Sequence, residues 1–319
     1  MWKWLLASVL FFLIVMELVF FAPESGDREI IEDIGDSEVS TESNEKVEQI
    51  LSGIHLVEAQ GDEKQWELES QVAKKEKNSD EWRLDVVKVN FFGENDVSYK
   101  AKGLKGFVAE GQESLKIEGD IEITSSNDYK LRTELIFYST ESRKIDGPQE
   151  VHLKGPSEKS GDGGPLHMQS KSFNADLSTN IINLTDTVRG RKKMSGGRHM
   201  KISSQMAQFS GQSNFALFKD DVVIDVNSMT VTGPRAKFIY KDGELYSMFI
   251  DGGVKIKDVG KWGVAGEAEV FFKEDKYVFR GNPKIVQDED QLVGEEIVIF
   301  DGGERVQVKK AKAKYQTKE

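Results

Sequence analysis

The chain has 319 residues and no cysteine, and its 55 acidic and 43 basic residues give a net charge of −12. The negative charge argues against a general nucleic-acid-binding surface, and the lack of cysteine excludes disulfides and thiolate-ligated zinc. The length allows one large domain or two ordinary domains with a substantial core.

An apolar segment, Trp4–Ala22, follows Lys3 at the N-terminus. About 20 helical residues cover a bilayer core of about 30 Å, so this segment predicts a transmembrane helix. We favour an uncleaved anchor over a signal peptide, because Ala22 lacks a small-x-small cleavage pattern and is followed by proline. Acidic residues follow the segment, so the positive-inside rule predicts a cytoplasmic tip and anchor at 1–23 and places the rest outside the cytoplasm.

Glu17 lies inside this apolar segment, where a carboxylate costs on the order of 3 kcal/mol at the centre of a span. Two interpretations remain open. The side chain contacts a polar group of another transmembrane protein, or it reaches outward to water or is protonated.

The composition changes twice after the anchor. Residues 24–53 are acidic and serine-rich, which predicts a solvated tether with a short helix near Asn44–Leu51. From residue 54 onward apolar and polar residues alternate, as in 115–123 and 222–226, and no long stretch carries a helical period. The body is therefore predicted to be all-β.

A short template with one small residue recurs along the body. The apolar pair that follows the small residue is out of step with the alternation, which predicts a bulge or bend there. A second element, a glycine turn before a short alternating strand, lies between the copies. The small positions are Ser70, Ala101, Thr133, Ser172, Ser204, Gly233, Gly266 and Gly294. We predict an elongated open β-jellyroll of curled antiparallel strands with about eight two-strand repeats; the alternative is that so loose a template matches by chance.

One face of such a curled sheet is apolar and must line an interior, because no helices are predicted to cover it. The interior is either packed by its own side chains or forms a groove for a hydrophobic ligand. The candidate groove residues are Ile117, Ile121, Ile123, Ile224, Phe238, Tyr240, Val254, Ile256, Phe279, Ile285, Ile297 and Ile299.

No motif indicates catalysis, so no enzyme, cofactor or metal site is predicted. The histidines at 55, 152, 167 and 199 lack metal-ligand spacing, and no nucleophile elbow or phosphate-binding loop is present. Some acidic residues could form an acid/base pair or a calcium site, but solvated turns explain them better. These residues are Asp288, Glu289, Asp290, Glu295 and Glu296.

A glycine-interrupted basic run has two interpretations, an anion contact such as one to a lipid phosphate, or a mobile charged connection between two halves, which we favour. Its candidate residues are Arg189, Arg191, Lys192, Lys193 and Arg198. The lysine-rich C-terminal segment "VQVKKAKAKYQTKE" either blunts an edge strand or docks a partner strand.

The segments "GIHLVEAQGDEKQWELESQVAKK" from Gly53, "LKIEGDIEI" and "YKLRTELIFY" resemble the lipopolysaccharide-export protein family LptC. After about residue 200, "GGVKI", "FRGNPKIV" and "DQLVGEEIVIF" are similar to LptA and its OstA-like relatives. The resemblance covers nearly the whole chain, but an LptC normally ends after about the first half of this body. The chain therefore looks like an LptC-like jellyroll at 54–190 that is continued by an LptA/OstA-like jellyroll at 191–319.

The resemblance implies a component of the lipopolysaccharide transport bridge, anchored by a single pass in the inner membrane of a Gram-negative bacterium with most of the chain in the periplasm. It implies that lipopolysaccharide is received from the ABC transporter LptB, LptF and LptG, which Glu17 would contact. The lipid would pass along an apolar groove to another LptA-like or LptD jellyroll, joined by edge-strand pairing. The alternative is a membrane-anchored β-solenoid adhesin or polysaccharide-acting protein with a packed interior.

Overall fold

The structure is a computed structural model that describes residues 47–77, 79–109, 114–156, 163–194, 197–210, 213–300, 304–310 and 312–314. All of them belong to one compact unit, 45–319. The predicted anchor, Glu17 and most of the predicted tether lie outside the described residues. Among the residues that are described, none belongs to a helix long and apolar enough to cross a membrane.

The described residues form one antiparallel sheet of twenty-two strands. The prediction of an all-β body is confirmed, since alternating apolar residues throughout the chain become strands with one buried face. The strands, in chain order, are β1 Val47–Gln60, β2 Glu63–Glu76, β3 Glu81–Phe92, β4 Ser98–Ala109, β5 Ser114–Ser125, β6 Lys130–Ser139, β7 Lys144–Gly147, β8 Val151–Lys154, β9 His167–Ser170, β10 Ser172–Asp176, β11 Ile181–Lys193, β12 His199–Ser210, β13 Phe215–Val226, β14 Met229–Lys241, β15 Glu244–Asp258, β16 Lys261–Phe271, β17 Lys276–Arg280, β18 Lys284–Gln287, β19 Asp290–Val293, β20 Glu296–Phe300, β21 Arg305–Lys309 and β22 Lys312–Lys314.

Strand β1 differs from the structure predicted for the start of the body. The short helix predicted near Asn44–Leu51 is wrong for 47–51, and the end of the predicted tether at 24–53 is strand. β1 pairs with β2 along its whole length, from Val47 opposite Glu76 to Gln60 opposite Glu63. Pairing with β2 along the whole hairpin overrides the weak local preference for a helix.

Each long strand pairs with the next strand in the chain, and five pairs of short strands take the place of single long ones. β6 pairs with both β7 and β8, and β11 pairs with both β9 and β10. β16 pairs in the same way with β17 and β18. β17 then pairs with β20, and β18 pairs with β19. The sheet is therefore one unbroken succession of neighbouring strands.

A line of bends crosses the sheet at the same level in successive strands. Pairing is interrupted between Glu118 and Ile121 in β5, and again at the corresponding level of β11 and β13. Residues with left-handed backbone lie on this line, including Val86 with φ 56° and Gly252 with φ 83°. Six of the eight predicted small positions fall on this line, and the predicted bend is confirmed there. In β4 and in the β9–β10 pair the line passes Gly103 and Ser170, two residues from the predicted Ala101 and Ser172.

Small residues occupy the inside of the bend for two physical reasons. The buried hydroxyl of Ser70 donates to the carbonyl of Asp85 at 2.8 Å, and that of Ser204 donates to the carbonyl of Met206 at 2.8 Å. The hydroxyls thus supply hydrogen-bond donors where the regular ladder is interrupted. In β14 glycine replaces serine, because a Cβ on Gly233 would lie 2.7 Å from the Ile250 side chain across the bend.

The line of bends divides the sheet into two walls. Wall 1 comprises 54–60, 63–70, 87–92, 98–102, 121–125, 130–133, 151–154, 167–170, 188–193, 199–204, 222–226, 229–233, 254–258, 261–265, 284–287, 290–293 and 312–314. Wall 2 comprises 47–52, 72–76, 81–85, 105–109, 114–118, 135–139, 144–147, 172–176, 181–185, 206–210, 215–219, 235–241, 244–251, 267–271, 276–280, 296–300 and 305–309. The walls fold over each other, since the rings of Phe91 in wall 1 and Tyr138 in wall 2 are 4.6 Å apart. The hydrophobic core lies between them.

Candidate functional site

The apolar interior between the walls is the candidate functional site, and every predicted groove residue faces it. Eight of the twelve are buried in one continuous core cluster, and the other four pack against it half-buried. The half-buried residues are Tyr240, Ile256, Ile285 and Ile299. Alternation thus identified the inward face, but contact of these residues with a lipid stays a prediction.

The N-terminal part of the interior (47–193) is closed by polar contacts between the walls. Trp66 Nε1 donates to Thr140 Oγ1 at 3.2 Å, and the Tyr99 hydroxyl donates to Asn180 Oδ1 at 3.1 Å. Burial, followed by the charge of Asp176, raises the pKa of Tyr99 to about 12. The Tyr99 hydroxyl is therefore a neutral donor in any physiological medium, and the bond persists.

A third polar closure joins the turns at the free ends of the two walls. Arg143 Nη1 lies 2.7 Å from Glu94 Oε1, and Arg143 Nη2 donates to the carbonyl of Phe92 at 3.0 Å. The backbone N–H of Glu94 also donates to the carbonyl of Leu177 at 3.1 Å. Sequence reasoning missed these residues, because their partners are far apart along the chain and follow no periodicity.

The C-terminal part of the interior (197–300) is packed by aromatic and methionine side chains. Phe218 makes edge-to-face contacts with Phe209 and Phe238, with ring centroids 6.0 and 5.4 Å apart. Alanines lie opposite these rings, with Ala216 facing Phe209 on the neighbouring strand and Ala236 facing Phe218. Large and small residues therefore alternate across the strands, which lets the rings interlock.

A cavity of about 40 Å³ lies in this C-terminal part. Residues of both walls line it, and four of them are methionines: Met194, Met200, Met229 and Met248. A cavity of about 150 Å³ holds a benzene molecule, so this one cannot take an acyl chain unless the walls move apart. Methionine suits such a movement, because its unbranched thioether adapts to changed packing.

Arg198 lies at the border of this cavity, in the turn between β11 and β12. Its guanidinium lies near Tyr277, whose hydroxyl donates to Asp275 Oδ1 at 3.1 Å. Burial and then Asp275 raise the pKa of Tyr277, and Arg198 opposes this rise. A cation and a phenol therefore occupy the rim of the apolar cavity.

The other predicted anion contacts are divided between the two faces of wall 1. Arg189, Arg191 and Lys193 are exposed on its outer face. Lys192 points inward and is buried, and its ammonium group donates to the carbonyl of Gly164 at 2.7 Å. Alternation explains this split, since neighbouring residues of a strand point to opposite faces.

Two residues of the acidic turn region form ion pairs with basic neighbours. Glu296 accepts from Arg280 at 2.8 Å, and Glu295 lies 2.6 Å from Lys310. Within the described residues, no group of three or more potential ligands could hold a metal ion.

Comparison with known protein families shows which families this chain resembles. The model of the LptC-related lipopolysaccharide-assembly family matches residues 7–193. The chain belongs to the LptC family. In this LptC-family chain, residues 201–304 also match the model of the LptA/(LptD N-terminal domain) LPS transport protein. The two matches are separated by the turn between β11 and β12 that carries Arg198.

Among solved structures, the LptC-family chain is similar to the crystal structure of LptH from Pseudomonas aeruginosa. LptH is described as the LptA homologous periplasmic component of the conserved lipopolysaccharide transport device. The identity is 14%, the match covers 37% of this chain and 95% of LptH, and the TM-score is 0.34. A comparison with curated proteins gave no match.

Proposed function

We propose that the protein is an inner-membrane-anchored periplasmic component of the lipopolysaccharide transport bridge. It receives lipopolysaccharide from the LptB, LptF and LptG transporter and passes the acyl chains between the two walls toward the outer membrane. Membership of the LptC family and the LptA-like match support this function. The predicted anchor at 1–23, with Glu17 as its contact to the transporter, belongs to the same proposal.

The continuity of the apolar interior carries the proposal. β11 pairs with β12 from Ile181 opposite Ser210 to Lys193 opposite His199, so the sheet runs without a break between the two family matches. An exposed acyl chain of twelve carbons costs about 9 kcal/mol at about 0.8 kcal/mol per CH₂, so transit through water requires an uninterrupted apolar lining. We assign 54–190 to receiving the lipid and 191–319 to extending its path.

Photocrosslinking in a Gram-negative host tests the path. A photoreactive residue replaces Ile121 or Ile256, which face the interior, and the controls replace Glu69 and Lys255, which are exposed on the outer face of wall 1. We expect lipopolysaccharide adducts at the two isoleucine positions and none at the controls. A well-expressed protein that gives no adduct at either isoleucine position would exclude transit between the walls.

In this proposal the protein contacts its partner proteins through the edge strands of its sheet. Within the described residues β1 pairs with β2 alone, and it exposes apolar side chains on both faces. Ile50 is 62% exposed and Val57 46% exposed, which is unusual for a strand without a partner at its free edge. We assign this edge to the transporter, and the edge of β21 and β22 to the next LptA-like or LptD jellyroll.

The edge assignment is tested with a photoreactive residue at Leu51 in β1. The control position is Val259, which is 79% exposed in the turn between β15 and β16. We expect an adduct with a transporter subunit from Leu51 and none from Val259. Equal labelling of the transporter from both positions would contradict a specific role for β1.

A further inference from the structure

The outer face of wall 1 carries a set of basic side chains that the strand register brings together from five strands. Lys130 of β6 is opposite Lys154 of β8, and Lys154 is opposite His167 of β9. His167 is opposite Arg191 of β11, and Arg191 is opposite Lys201 of β12. Strands are about 4.8 Å apart, so these five residues form a row of about 19 Å.

A second row runs beside the first, two residues further along each strand. It contains Arg132, His152, Gln169 and Arg189. We call the two rows together with Lys193 the basic face. Three of the four histidines of the chain belong to the basic face or lie beside it, at 152, 167 and 199.

Few carboxylates neutralise the basic face. The segments β8, β9 and 188–193 contain no acidic residue, although the whole chain has a net charge of −12. Arg132 pairs with Glu122 at 2.7 Å at one margin of the face. Within the part of the chain that the structure describes, Lys154, Arg191 and Lys201 form no ion pair. Asp225 of β13 is opposite Lys201, and Glu150 lies 3.1 Å from His152, so carboxylates border the face. Lys154 and Arg191 in the centre have only basic residues opposite them, and their mutual repulsion favours an anionic ligand.

The electrostatic environment of His167 reflects this excess of positive charge. Partial burial, and then the charges of Arg191 and Lys154, hold the pKa of His167 below its ordinary value. Both cations face the imidazole from the two neighbouring strands. A bound anion would replace the missing counter-charge for all three groups.

The basic face is recessed rather than flat, since it borders a depression of about 840 Å³. A depression of this size suits a ligand with depth, such as an oligosaccharide, better than the plane of a membrane. The face is also near the free end of wall 1, where the turn with Arg198 meets the interior. A headgroup that leaves the interior beside Arg198 can bend over this end onto the outer face.

We infer that the basic face is a second binding surface, which holds the phosphorylated saccharide of the glycolipid while its acyl chains lie between the walls. The inference rests on the proposed function for the identity of the saccharide. Several phosphates distributed along a sugar chain match a row of cations spaced at about 4.8 Å. The surface lies on the opposite side of wall 1 from the apolar interior, so the two sites hold the two chemically different parts of one molecule.

The test uses the full-length protein in a non-ionic detergent and two saccharide probes that carry no acyl chains. One probe is the saccharide of lipopolysaccharide after complete deacylation, with its phosphates retained, and the other is the same saccharide after removal of phosphate. The test variant is the double substitution Arg189→Glu and Arg191→Glu. The matched control is Lys237→Glu and Lys241→Glu on β14, which makes the same change of charge on the outer face of wall 2, on the other side of the core.

We expect the phosphorylated saccharide to bind the wild-type and control proteins equally and the test variant at least tenfold more weakly. Removal of phosphate should abolish binding. Raising the salt from about 0.1 M to about 1 M shortens the Debye length from about 10 to about 3 Å and should weaken the wild-type complex strongly. The neutral variant Arg189→Gln and Arg191→Gln, with an unchanged far-UV spectrum, should show an intermediate loss.

Equal affinity of the test and control variants would overturn the inference, as would equal binding of the two probes. Binding of vesicles of phosphatidylglycerol and phosphatidylcholine that is lost in the test variant, with no saccharide binding, would also overturn it in favour of a membrane contact. Crosslinking at Ile256 without saccharide binding leaves the proposed function standing and removes only this surface. Saccharide binding without a crosslink at Ile121 or Ile256 would leave the basic face standing and exclude transit of the lipid between the walls.

Discussion

The N-terminal and C-terminal parts of the interior are closed by different chemistry. In 47–193 the walls are joined by polar contacts, such as Tyr99 to Asn180 and Arg143 to Glu94. In 197–300 interlocked phenylalanines and methionines fill the space, around a small cavity. Opening a polar closure leaves buried donors and acceptors unpaired, whereas an acyl chain can replace apolar contacts with contacts of the same kind. We therefore expect the C-terminal part to admit lipid more readily.

The largest effect is expected from the aromatic packing of the C-terminal part. Phe218→Ala removes the central ring of the interlocked set and should lower the free energy of unfolding by about 3–5 kcal/mol in urea titrations. The control is Phe137→Ala, because Phe137 is 42% exposed on the outside of wall 2. Similar losses in the two variants would show that the interlocked rings are not what holds the C-terminal walls together.

A smaller effect is expected from the polar closure of the N-terminal part. Tyr99→Phe removes the donor to Asn180 and should cost about 1–3 kcal/mol. The matched control, Tyr246→Phe in the C-terminal part, keeps its ring and should change stability by less than about 0.5 kcal/mol. If the two variants are equally stable, the polar contacts do not distinguish the two parts.

The pH dependence of the same variant provides an internal check. An unfolded tyrosine ionises near pH 10, whereas Tyr99 in the folded protein has a pKa of about 12. Between these values the folded state binds more protons than the unfolded state, so stability falls as the pH rises. This alkaline loss should be smaller in Tyr99→Phe, although Tyr129 and Tyr138, whose pKa values are also raised by burial, still contribute to it.

The smallest effect is expected at the line of bends, where the two parts use different residues. Val86 has a φ of 56°, which is strained for a β-branched side chain, while Gly252 has a φ of 83° without that penalty. Val86→Gly should raise the free energy of unfolding by about 1 kcal/mol. Val264→Gly, at an exposed strand position without positive φ, should lower it. A loss of stability in Val86→Gly would mean that its side chain packs usefully despite the strain.

Much of the fold could be predicted because it repeats with a short period. Alternation located the strands and their inner face, and small residues out of step with it located the bends at Ser70, Ser204 and Gly233. The tether boundary was wrong because β1 depends on pairing with β2. The polar closures were missed because Trp66 and Thr140 are 74 positions apart and belong to no repeat.

The basic face shows a second limit of sequence reasoning. Arg189 and Arg191 were candidates because they are close together in the chain, but Lys130, Lys154 and His167 join them only through the register of β6, β8, β9 and β11. Lys192 was grouped with them by sequence and lies on the opposite face. Which charges share a surface depends on how strands are ordered, and alternation alone does not specify that order.

The line of bends also has a consequence for how such a protein can change in length. Each long strand touches mainly its two neighbours and carries its own bend, so a duplicated hairpin can be inserted without disturbing the residues on either side. Two added strands would lengthen the sheet and its apolar interior by about 9.6 Å. An architecture of this kind can grow by gene duplication or by fusion of one array to another, and selection can adjust its span to the distance that must be bridged.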